Sequence, residues 1–204
     1  MALITAPIPI QAFELIRNRI GEILIEELSN QVSVYSDQTL ALNVYIERSV
    51  PLDKTELPAI NVNFAGGPLD SKNIKDGSNS YAYNIDVYTS AKATDLQSGD
   101  EKSAIACQRI IGACRSIILN PVYKTLGFAT GANAFISRVT AREISVLDPA
   151  AGKQDADSTH MERLVIIVSC TEIESLIIPS NIDGYDARVT IDNGSFGYKY
   201  TGNA

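Results

Sequence analysis

The chain has 204 residues, 45% of them hydrophobic and 20% charged, with a formal net charge of −7. That length and balance suit one well-formed core, or one domain with appendages, and exclude wholesale disorder. No stretch reaches the roughly 18 apolar residues of a membrane span. Residues 1–10 contain two prolines and lack the basic start and apolar core of a secretory signal, so the expectation is a soluble protein made in the cytoplasm, with no membrane partner.

The first element is an amphipathic helix over Ile10 to Leu28, with Phe13, Ile16, Ile20, Ile23, Leu24 and Leu28 at three- and four-residue spacing. Its acidic polar face disfavours a membrane-surface role. Leu40, Leu42, Val44 and Ile46 then alternate with Ala41, Asn43, Tyr45 and Glu47, the period of a strand with one buried face. A second strand follows Pro58, with Ile60, Val62 and Phe64 on one side. A third holds Tyr81, Tyr83, Ile85 and Val87. The loop between them, residues 66–80, is long for a compact domain, and its Lys72, Lys75 and Asp76 make it a candidate assembly element.

Ser98 and Glu101 have the spacing of a capping box and start a second helix. Its stripe is Ala104, Cys107, Ile110, Ile111, Cys114, Ile117 and Ile118, and Pro121 ends it. Phe135 to Leu147 reads as a long strand whose apolar phase switches from odd (Phe135, Val139, Ala141) to even (Ile144, Val146), which predicts a β-bulge at Arg142 or Glu143. His160 to Ile173 contains five successive apolar residues, 164–168, and so predicts a strand that is central in its sheet or covered by another subunit. Near the C-terminus, Asp192-Asn193-Gly194 predicts a hairpin in which Ile191 faces Phe196 and Val189 faces Tyr198. The fold class expected is α+β: a single antiparallel or mixed sheet of about five strands carrying two helices over residues 1–178, with a hairpin arm over 179–204.

Charge is localised. Residues 143–186 hold nine acidic side chains against Lys153 and Arg163, the whole of the net −7. Asp148, Asp155, Asp157 and Glu162 are therefore expected on an acidic surface, and nothing offers the basic surface that nucleic-acid binding requires.

Residues with catalytic spacing are lacking. Cys107, Cys114 and Cys170 are odd in number and lie in apolar elements, against a disulfide framework. The single histidine, His160, has no Gly-flanked nucleophile to serve, and Cys and His lack zinc-site spacing. Gly66-Gly67 matches neither a phosphate loop nor a dinucleotide turn. The acidic pairs Asp155/Asp157 and Glu172/Glu174 lack a dense oxygen-ligand loop. The reading is of no enzyme, no metal and no cofactor.

Leu57-Pro58-Ala59-Ile60 opening a strand, the strand from Tyr81 to Tyr88, the helix from Glu101 to Leu119 and the strand pair 135–147 and 162–173 together resemble the bacteriophage tail-terminator, or tail-completion, family over about residues 10–175. The resemblance implies a virion protein assembled in the host cytoplasm. It would form a ring, typically a hexamer, that caps the tail tube, ends its polymerisation and joins the tail to head-completion (neck) proteins. DNA would pass through unbound, repelled by an acidic lumen. The hairpin departs from the family pattern. It reads as an arm for a neighbouring subunit or for tail tube or sheath protein, through Val189, Ile191, Phe196 and Tyr198. Another head–tail connector or tube subunit is an alternative, and a small-ligand-binding protein or enzyme is one from a different class.

Overall fold

A computed structural model describes residues 10–50, 52–67, 78–130, 134–147, 157–171, 185–188 and 199–202. The chain divides into two compact units: Ile10–Glu172, and a second made of Met1–Pro9 with Ile173–Ala204.

The larger unit is a five-stranded mixed sheet with two helices, an α+β fold. Its elements are α1 (Ala12–Tyr35), β1 (Asn43–Ile46), β2 (Ala59–Gly66), β3 (Ser78–Lys92), α2 (Gly99–Ile118), β4 (Ile136–Leu147) and β5 (Asp157–Thr171), with strand order β1-β2-β3-β5-β4. β1 runs parallel to β2 and every other pairing is antiparallel. A parallel neighbour needs a crossover of about a dozen residues, which residues 47–58 supply. The strand expected from Leu40 is shorter at its start, because Gln38–Leu40 forms a 3-10 turn capped by the Asp37 side chain.

Both helices lie on one face of the sheet. α1 buries Ile16, Ile20, Ile23, Leu24 and Leu28, and α2 buries Cys107, Ile110, Ile111, Cys114 and Ile118. These form one core with Ile60 and Val62, with Tyr81, Tyr83, Ile85 and Val87, and with Leu164, Ile166, Val168 and Cys170. Each strand contributes alternate residues, as the two-residue period requires. Tyr83 is fully buried, and its hydroxyl donates to the Phe13 carbonyl oxygen at 3.1 Å, so its polar end costs the core little. Phe13 in turn stacks on Phe64 at 4.9 Å.

The apolar run of β5 has the predicted placement, between β3 and β4. The predicted bulge is also present: the β4–β5 register shifts between Ala141 and Glu143, so Arg142 is the extra residue. Val139 and Ala141 then share a face with Ile144 and Val146, opposite Val168, Ile166, Leu164 and Glu162 in register. A second shift, between Ile136 and Arg138, has no counterpart in the apolar pattern.

The capping box is a correction. Ser98 occupies the N-cap of α2 with extended backbone, but its side chain makes no cap hydrogen bond. Its hydroxyl instead bonds the Asp100 carboxylate, the main reason that carboxyl lies below the usual range. The first turn relies on Asp100 and Glu101 facing the positive end of the helix dipole. The loop expected at 66–80 is also shorter, since β2 reaches Gly66 and β3 begins at Ser78.

In the second unit, β6 (Tyr185–Arg188) pairs antiparallel with β7 (Lys199–Gly202), Arg188 opposite Lys199. This is the register that a turn centred on Asn193 and Gly194 demands. The turn itself and Val189, Ile191, Phe196 and Tyr198 lie outside the described residues.

Two glycines of α2 make a test of the packing. A Cβ at Gly99 would stand 2.7 Å from the Ala91 carbonyl oxygen, whereas one at Gly112 would meet nothing within 4 Å. Gly99→Ala should destabilise the fold by about 1–3 kcal/mol through backbone displacement. Gly112→Ala should stabilise it by about 0.5–1 kcal/mol, because alanine loses less backbone entropy in a helix. Urea denaturation of the two variants checks both signs.

Candidate functional site

The helix-free face of the sheet carries a polar row. Asn61, Asp86, Arg163 and Ser145 stand side by side across β2, β3, β5 and β4. Arg163 donates to both Asp86 carboxylate oxygens, Nε at 2.6 Å and Nη2 at 2.8 Å, and the Asn63 amide adds a third bond at 3.1 Å. Asp86 is only 2% exposed, and this fork supplies the hydrogen bonds its buried carboxylate needs. The pairing raises the Arg163 pKa. Burial, and then the Asp86 charge, push the Tyr88 phenol above its ordinary value.

Asn61, 5% exposed, clamps the chain beyond β1: its Oδ1 accepts from the Arg48 backbone N–H and its Nδ2 donates to the Arg48 carbonyl. That fixes the Arg48 side chain, which grips Glu56 in a second fork at 2.7 and 2.8 Å and lies over the Tyr45 ring, 4.4 Å from its centroid. The Arg48 hydrogen bonds hold the Glu56 carboxyl at about 2.

A second polar group lies under the start of α2. Thr89 Oγ1 donates to the Ser103 carbonyl at 2.7 Å and Cys107 Sγ to the Val87 carbonyl at 3.4 Å, while His160 Nε2 lies 3.3 Å from Glu162 Oε1. Cys, His and Glu in one neighbourhood suggest a nucleophile with its base. Burial, followed by the Glu162 charge, pushes the Cys107 thiol up to about 12, however, and its sulfur is sealed from solvent. Reactive thiols have the opposite environment, lowered in pKa and accessible. Among the described residues no buried side-chain nitrogen or oxygen lacks a partner, and no three His, Cys, Asp or Glu side chains are grouped as metal ligands would be.

A groove of about 600 Å³ runs between the helices, lined by Glu27 and Gln31 of α1, Arg109, Gly112 and Ser116 of α2, and Tyr123. Tyr123 closes one end by donating to Glu27, which pushes its phenol up to about 12. Arg109 is engaged by Asp37 at 2.7 Å.

The residues singled out from sequence do not converge. Lys72, Lys75, Asp76, Asp148 and Asp155 lie outside the described residues, and of Asp157 only the backbone at the start of β5 is described. Glu162 is a correction: it is 2% exposed and faces the helices, opposite Val87 and Val146 in register, so it forms no part of an acidic surface. The Asp86–Arg163 pair escaped sequence reading because 77 residues separate its partners. The available signal was a charged residue at the polar phase of each of two strands. No described helix is long and apolar enough to cross a membrane.

Arg163→Met should cost about 3–5 kcal/mol, because it strands a buried carboxylate. Asp86→Asn should cost less, since the Arg163 side chain is 31% exposed and can turn to water. Urea titration ranks the two. All three cysteines are buried, so the native protein at pH 8 should leave a thiol reagent unreacted over minutes and the unfolded chain should consume three equivalents. The chain matches no protein-family model, and no curated protein aligns with it significantly.

Proposed function

We propose that the chain is a structural subunit of a bacteriophage tail, of the tail-terminator kind. It would assemble into a ring that caps the tail tube, ends its polymerisation and meets the neck proteins, with DNA passing through. The observation that carries this reading is the order of elements. One helix, three strands, a second helix and a long antiparallel strand pair build one sheet with both helices on a single face. Among the described residues the sheet has one face without helices and an edge strand, β4, with no partner on its outer side. The side-chain chemistry supports the same reading: on the helix-free face Asp86 and Arg163 are spent on each other, and the Cys107 thiol is sealed.

A small-ligand-binding role is the second reading, favoured by the groove between the helices, whose volume of about 600 Å³ lies in the range of ligand pockets. Its one arginine, Arg109, is already committed to Asp37.

Mass measurement and negative-stain imaging of the purified full chain test the two. A closed ring with a central hole is expected. A monomer that binds a small molecule in the groove would replace it with the second reading. Removal of residues 180–204 should weaken assembly while leaving the helix and sheet signal of the body unchanged by circular dichroism.

A further inference from the structure

We draw no further inference here: the strongest candidate, the outer edge of β4 with the exposed Ile144 and Val146 beside it, is without a partner strand among the described residues, and nothing in the structure shows what covers it.

Discussion

Fifteen successive antiparallel pairs join β3 to β5, from Ser78 with Thr171 to Lys92 with Asp157, and the rest of the larger unit is arranged around this ribbon. Its helix-bearing side presents Tyr81, Tyr83, Ile85 and Val87 beside Leu164, Ile166, Val168 and Cys170, a continuous apolar surface. Water excluded from that surface is the main favourable term in folding the unit. α2 settles directly over it, and α1 covers β1 and β2 beside α2. The flanking segment after α2 is held by specific bonds: the Arg19 guanidinium donates to the Leu126 carbonyl at 3.0 Å, and Tyr123 donates to Glu27.

The opposite side of the same ribbon works by different physics. Asp86 and Arg163 face each other in register, and a fork of charge-assisted hydrogen bonds replaces apolar cover. A buried ion pair adds little net stability over an apolar pair of similar volume, but it tolerates only one alignment. A slip of one residue would carry Asp86 and Arg163 to the helix-bearing side and the apolar stripe to the other, so the pair and the core enforce the same register. The outcome is a sheet whose two faces are held by different interactions, apolar packing under the helices and a charged fork on the other side.

How legible each part was depended on whether its cause was local. The bulge at Arg142 could be read from a change of phase within β4, since an extra residue must exchange the faces. The register of β6 and β7 is the one that a two-residue turn at Asn193-Gly194 would set, since such a turn fixes every pair beyond it. The Ser98 cap misled because sequence spacing offers a bond without showing the competitor, and Asp100 engages the hydroxyl first. Glu162 misled for a related reason. Its acidic neighbours in sequence suggested a solvated surface, yet its place in β5 turns it toward the helices beside His160 and the Cys107 thiol.

By itself, the sequence determined the two amphipathic helices, a β5 apolar on both faces, the bulge of β4 and the concentration of acidic charge between residues 143 and 186. Each of these is set by periodicity, turn chemistry or composition within a few residues. Tertiary structure alone decided that β1 runs parallel to β2, that Asp86 meets Arg163, that Glu162 is buried and that Ile144 and Val146 stay exposed. Those outcomes depend on which strands become neighbours and on where the helices stop covering the sheet. Both are fixed by packing among residues far apart in the chain, and no local pattern carries them.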